Sequence, residues 1–166
     1  MAQPRVALLP QTATILDLPD EAATQALARR LAGVVRMGDV IALWGGLGAG
    51  KTALARAFIR AAGNPDEEVP SPTFTLVQVY DVMPAPVWHF DLYRTAAPDE
   101  ALELGIEEAF VEAISLIEWP ERLGSLLPSE RLDIALDFGT GETERHATLT
   151  GQGAWRRRLE ALRLES

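Results

Sequence analysis

The chain has 166 residues, with 24 acidic against 15 basic side chains and a formal net charge of −9, a length that suits one domain over residues 1–166 folding without staples. The absence of cysteine excludes disulfides, thiolate metal sites and cysteine nucleophiles, and the negative balance argues against a broad nucleic-acid-binding face. Met1–Pro10 lacks the apolar run of a secretory signal and nothing approaches the ~18 consecutive apolar residues of a membrane span, so a cytoplasmic, non-membrane protein is expected.

Ala13–Leu18 is apolar and β-branched and reads as a strand; Pro19-Asp20 then opens a helix whose apolar face is Ala23, Leu27, Leu31 and Val34. After a turn at Gly38-Asp39, the unbroken apolar run Val40–Trp44 marks a strand buried on both faces. A glycine-rich loop follows, and a helix is expected from Lys51 to Ala62, ended by Gly63-Asn64-Pro65. Asp66–Thr73 has no periodicity and reads as an exposed loop before strands Thr75–Tyr80 and Val87–Asp91. Pro98–Leu104 starts a helix that Gly105 interrupts, Ile114–Glu118 is another buried strand, and Pro120 is placed to begin a helical turn. Arg131–Phe138 and Arg145–Leu149 alternate apolar and polar residues, joined by Gly139–Glu144 as an antiparallel hairpin at one edge of the sheet. A short basic helix or tail, 153–166, closes the chain; its cluster Arg156–Arg158, with Arg163 nearby, reads as a solvated helix face, the alternative being a docking patch for an acidic partner. Strands alternating with helices, then a hairpin, predict an α/β sandwich with a mixed sheet, parallel at its centre.

Gly45-Gly46-Leu47-Gly48-Ala49-Gly50-Lys51-Thr52 fits G-x-x-x-x-G-K-[ST] and lies, as a phosphate loop must, between a buried strand and a helix. Glycines let successive N–H groups converge on one phosphate, and the helix start aims its unsatisfied N–H groups at the same anion. Lys51 is expected to neutralise β/γ oxygens and the Thr52 hydroxyl to ligate Mg²⁺. Composition adds weight: the basic residues are 14 arginines and the single lysine Lys51, which stands where a compact ammonium rather than a wide guanidinium fits a backbone nest. The spacing of Gly46, Gly48 and Gly50 does not fit the dinucleotide pattern G-x-G-x-x-G. The loop therefore predicts a P-loop NTPase-like three-layer sandwich.

Hydrolysis also needs a carboxylate acting on the metal directly or through water. Asp91 and Glu118 each end a strand, and ligands gather outside the carboxyl ends of parallel strands. His89 shares a face with Asp91; a lone histidine in a strand is more often packed or hydrogen-bonded than a ligand. Arg94 is placed either to stabilise transition-state charge or to pair with a carboxylate. Asp66–Thr73 stands where a switch loop would sense a γ-phosphate, with Thr73 the residue to approach the metal; a plain connector is the other reading. Asp137-Phe138-Gly139 imitates a kinase motif, but no H-R-D loop accompanies it. The only asparagine is Asn64 and the only lysine Lys51, so no Asn-Lys guanine-reading pair exists and ATP is favoured over GTP.

Together, the loop GGLGAGKT, SPTFTLVQVY at 71–80, HFDLYR at 89–94 and IEWP at 117–120 resemble the TsaE (YjeE) family, bacterial ATPases of tRNA threonylcarbamoyladenosine biosynthesis. The resemblance, from about Asp17 to Leu127, implies that Thr52 and Glu118 ligate Mg²⁺, that Asp91 is required for hydrolysis, that Trp119 matters beside Glu118 and that Thr73 lies in the switch-like loop. It further implies binding to the TsaD–TsaB heterodimer, which modifies adenosine 37 of tRNA, with tRNA met only through that complex and with hydrolysis weak alone and partner-dependent. One departure is visible: many members carry Asp at the second loop position, where this chain has Gly46. Two other functions stand beside this reading, a small-molecule kinase on the same P-loop fold and an ATP-binding interaction module with negligible hydrolysis.

Overall fold

A computed structural model describes residues 13–164; Met1–Pro10 lies outside them, as do residues 165 and 166 of the basic tail. The strands are β1 (Thr14–Leu18), β2 (Val40–Trp44), β3 (Val77–Tyr80), β4 (Val87–Asp91), β5 (Ile114–Glu118), β6 (Leu132–Phe138) and β7 (Arg145–Gly151). The helices are α1 (Glu21–Ala32), α2 (Lys51–Ala62), α3 (Pro98–Glu103), α4 (Ile106–Glu112) and α5 (Trp155–Leu162), with a 3-10 helix over Pro120–Leu126. Among the described residues no helix is long and apolar enough to cross a membrane.

The seven strands among the described residues form one sheet in the order β1-β7-β6-β2-β5-β4-β3. β2 runs parallel to both β5 and β6, and β5 parallel to β4, while β3, β7 and β1 join antiparallel on the two flanks. Of these, β2, the unbroken apolar run, and β5 are buried on both faces, whereas β6 alternates buried with part-exposed residues. Ile41 and Leu43 pack with α1, α2 and α5 (Leu31, Phe58, Leu159), whereas Val40, Phe90 and Ile117 pack with α3, α4 and the 3-10 helix (Ala101, Ile106, Leu123). Each large apolar side chain so buried stabilises the fold by about 1.5–3 kcal/mol. The mixed three-layer sandwich follows, and it brings the carboxyl ends of β2, β4, β5 and β6 to one side.

Local differences from the sequence pattern have local causes. Asp20 caps α1, its side chain accepting from the Ala23 N–H at 2.9 Å, and the helix ends at Gly33, so Val34 leaves it yet still packs on the same core. β3 begins at Val77 rather than Thr75 because Leu76 takes φ +66° and donates its N–H to Pro72 O at 2.7 Å, closing a turn. Gly105 interrupts the helix begun at Pro98, as expected, and also starts a second one, α4, from a left-handed position. The C-terminal hairpin is not at the sheet edge, because β1 pairs along the outside of β7 from Thr14↔Leu149 to Leu18↔Arg145. Nor is the arginine cluster uniform. Arg156 and Arg157 are exposed, but Arg158 turns inward onto both oxygens of Asp39 at 2.5 and 2.8 Å and onto Val34 O.

Candidate nucleotide site

The loop between β2 and α2 is shaped by its glycines. Gly45 has φ +146°, and a Cβ there would lie 2.7 Å from Leu136 O, so no other residue fits without moving the backbone of β6. Gly50, at φ +104°, is the N-cap of α2 and offers no side chain to that helix end. The first N–H groups of α2 are thus left for an external anion. Gly46 differs: a Cβ there would meet nothing within 4 Å. A side chain could therefore begin at this position without a clash of its Cβ.

Lys51 is 5% exposed and folds back over the loop, donating from Nζ to Gly45 O at 2.6 Å and Gly46 O at 2.7 Å. The Trp119 ring covers the ammonium, its centroid 3.9 Å from Nζ. Burial lowers the lysine's pKa below 10.5, against the opposing pull of Glu118, Glu121 and Asp91. This is a desolvated cation holding two neutral carbonyls, which phosphate oxygens would replace to advantage.

The carboxylates arrive by register. β4 and β5 pair so that Asp91 lies opposite Glu118, and β2 places Leu43 opposite Glu118 on the other side. Glu118, 2% exposed, accepts from Thr52 Oγ1 on Oε1 at 2.7 Å, while its Oε2 lies 2.6 Å from His89 Nε2. Asp91 accepts from the Tyr93 N–H at 3.0 Å on Oδ1 and from Thr73 Oγ1 at 3.2 Å on Oδ2. Thr73 also bonds Ser71 at 2.7 Å, so the 66–73 loop touches the site through its last residue. Arg56 and Arg60 of α2 tie that loop down by donating to Val69 O and Glu67 O.

Trp119 joins the strand end to the cation. It adopts φ +61°, ψ +51° just before Pro120, where a bulky residue is normally extended. Such a conformation costs of order 1–3 kcal/mol, and it sets the indole against both Lys51 and the Tyr93 ring, 4.9 Å away between centroids. Arg94 points elsewhere, stacking over the exposed Phe74 ring at 4.5 Å rather than entering the carboxylate cluster.

Lys51, Thr52, Thr73, Asp91, Glu118 and Trp119 therefore gather at the mouth of the loop formed by Gly45, Leu47, Gly48, Ala49 and Gly50. Leu47 is the exception, its side chain 66% exposed at the loop tip. The hard oxygens of Thr52 and Glu118 suit Mg²⁺. Their 2.7 Å separation is near the roughly 2.9 Å between adjacent corners of an octahedron with 2.0–2.1 Å bonds. Among the described residues no three His, Cys, Asp or Glu side chains form a metal cage, so remaining ligands would come from phosphates and water, as Mg²⁺ favours.

Beside the loop a groove of about 750 Å³ runs between α1 and α2, with Asp20, Thr24, Ala49, Gly50, Thr143 and Arg145 at its loop end. Arg145 opens β7, stacks over Phe138 at 4.8 Å and donates to Gly48 O at 3.3 Å. No short motif marks it; only the return of β7 to the loop does.

With these features in place, comparison with known proteins identifies their kin. The family model for threonylcarbamoyl adenosine biosynthesis protein TsaE matches residues 18–147. The chain belongs to the TsaE family. It is 38% identical to the tRNA threonylcarbamoyladenosine biosynthesis protein TsaE of Bacillus subtilis, over 81% of this chain and 82% of that one. To the Rickettsia felis protein of the same name it is 38% identical, covering 74% and 72% of the two chains. The crystal structure of Bacillus subtilis YdiB superposes with a TM-score of 0.76 at 30% identity, over 93% of this chain and 96% of that one. The family's part in making threonylcarbamoyladenosine in tRNA thus extends to this chain, and the P-loop NTPase-like fold agrees with the sheet order above.

Proposed function

We propose that this TsaE-family chain binds ATP with Mg²⁺ at the loop of Lys51 and Thr52 and hydrolyses it, slowly alone and faster with a TsaD–TsaB pair, to sustain threonylcarbamoyl modification of tRNA. The observation that carries the reading is the convergence of a buried lysine, the Thr52–Glu118 hydrogen bond and the buried Asp91 at one end of four parallel strands.

In this reading Lys51 exchanges its two loop carbonyls for β/γ oxygens, while the N–H groups of α2 and the loop hold the phosphate chain. Bound through Thr52 and Glu118, Mg²⁺ would supply charge neutralisation across the phosphates. Asp91 orients or deprotonates the attacking water. Both its oxygens are engaged by Thr73 and Tyr93, so it is released for that task when Thr73 turns towards the metal. That exchange gives the 66–73 loop its switch role. The base lies in the loop end of the groove, near Asp20–Thr24 and Arg145. The net charge of −9 fits a protein that meets tRNA only through its partners.

The test is phosphate release from ATP and Mg²⁺, measured on the protein alone and with purified TsaD–TsaB. A rate that changes with the pair and vanishes in Lys51→Ala supports the proposal. No hydrolysis in either mixture would leave a nucleotide-dependent interaction module instead, and release that required a small-molecule acceptor would make it a kinase.

A further inference from the structure

We propose that His89 is a positioning residue for Glu118: its Nε2–H holds Oε2 so that Oε1 stays beside Thr52 Oγ1, where the metal is to be bound. This rests on the metal-site reading of Thr52 and Glu118 given above.

The two oxygens of Glu118 have separate partners, Thr52 on Oε1 at 2.7 Å and His89 on Oε2 at 2.6 Å. His89 is fully buried and Glu118 is 2% exposed, so the bond between them is shielded from bulk water, while the Thr52 side of the carboxylate is only part-buried and open to a ligand. The imidazole is fixed by the sheet. β4 pairs with β3 on one side (Gln78↔His89) and with β5 on the other (His89↔Leu116), and Glu118 lies two residues further along β5 on the diagonal.

The hydrogen-bond inventory of the ring is lopsided. Nδ1 is buried and has no partner among the described residues. Placing the ring hydrogen on Nε2 satisfies the carboxylate and leaves only a bare acceptor at Nδ1, whereas the other tautomer would bury an unpaired N–H. All the polar capacity the ring uses is therefore directed at one oxygen of Glu118. A packing role alone would be filled by an apolar side chain at lower desolvation cost.

The constraint has a purpose in this site. Glu118 is the foremost carboxylate acting on the Lys51 ammonium, and a glutamate has three rotatable bonds. Tethered by His89, it faces Thr52 and leaves Lys51 to the phosphates. Untethered, it is free to swing to the lysine and neutralise the cation that the nucleotide needs. Hydrogen-bonded supports of ligating groups are worth roughly 10–100-fold in metal affinity.

Three substitutions separate the roles. In His89→Gln the amide nitrogen stands as many bonds from Cα as Nε2 does and can still donate to Oε2. In His89→Asn it stops short, and His89→Leu fills space with no donor. The readout is ADP binding by calorimetry, without partners, as a function of Mg²⁺ concentration. The Leu and Asn variants are expected to raise the half-saturating Mg²⁺ by roughly tenfold or more and, with Glu118 free to pair with Lys51, to weaken Mg²⁺-free ADP binding as well, and Gln to recover most of both losses. Should the Leu variant fail to fold, the Gln–Asn pair decides. Equal shifts in Gln and Asn, or none in either, would overturn the proposal. Glu118→Gln run in parallel distinguishes the failures: if it too leaves the Mg²⁺ curve unmoved, the metal-site reading itself falls. Imidazole ¹⁵N shifts of the ligand-free protein give an independent check, since a hydrogen on Nδ1 rather than Nε2 contradicts the assignment.

Discussion

Replacing Glu118 by Gln keeps the shape of the site and removes one charge, which makes its consequences separable. The amide oxygen can accept from His89 Nε2, and the amide NH₂ can donate to Thr52 Oγ1 if that hydroxyl reverses its role, so both contacts, 2.6 and 2.7 Å in the native chain, survive. What is lost is their charge assistance. Hydrogen bonds to charged groups contribute about 1.5–3 kcal/mol against about 0.5–1.5 for neutral ones. Two bonds weakened in this way predict a stability loss of about 2 kcal/mol, set against the relief of no longer burying a carboxylate. At the ~2–4 °C per kcal/mol expected for a chain of this size, the melting temperature falls by about 4–8 °C at most. The effect on Mg²⁺ is larger, because a neutral amide replaces an anionic ligand and at least a tenfold higher concentration should be needed to support nucleotide binding. Thermal unfolding and ADP titrations across a Mg²⁺ series measure the two effects on one sample. A variant that melts lower but keeps the native Mg²⁺ curve would refute Glu118 as a ligand and leave it a structural acid.

Three further outcomes follow from other parts of the molecule. Gly45→Ala should abolish nucleotide binding, its Cβ meeting Leu136 O at 2.7 Å, whereas Gly46→Asp should leave fold and binding intact, its Cβ meeting nothing; calorimetric ADP affinities of both check this, and equal damage would contradict the loop geometry. Nucleotide affinity should be full below the lowered pKa of Lys51 and lost as pH climbs through it, before 10.5, while ligand-free stability rises over the same window because the unfolded chain binds the extra proton; affinity unchanged up to 10.5 would contradict the buried ammonium. Asp39→Ala strips two of the three bonds of the inward-facing Arg158, leaving that to Val34 O, and one from the Arg36 N–H, and should cost about 3 kcal/mol by chemical denaturation; a loss under about 0.5 kcal/mol would return that arginine to the solvated surface.

The parts of this molecule that sequence revealed are those governed by local rules. The strand bounds Val40–Trp44, Val87–Asp91 and Ile114–Glu118 match the structure; the first follows from an unbroken apolar run after a turn, the other two from mainly apolar runs that each hold one polar residue, His89 or Ser115, and end at a carboxylate. The loop of Lys51 is legible because the requirement for missing side chains leaves a glycine signature. Non-local choices were hidden. That β1 adds outside β7 depends on a pairing more than a hundred residues apart in sequence, from Thr14↔Leu149 on, and nothing in Thr14–Leu18 states it. Arg145 reaches the loop only because β7 returns there, and the left-handed turn at Leu76 belongs to a residue type that ordinarily avoids it. That His89 is packed or hydrogen-bonded was legible in the sequence, but its partner was not, because only the diagonal of β4 and β5 sets it against Glu118.

The central claim is that Lys51 and Thr52 hold ATP with Mg²⁺, and direct calorimetric titration of ATP into the protein, with and without Mg²⁺, tests it. The account predicts saturable one-to-one binding, tighter with Mg²⁺, and none in Lys51→Ala at the same concentrations. Equal affinity in wild type and Lys51→Ala would place the nucleotide elsewhere and contradict it.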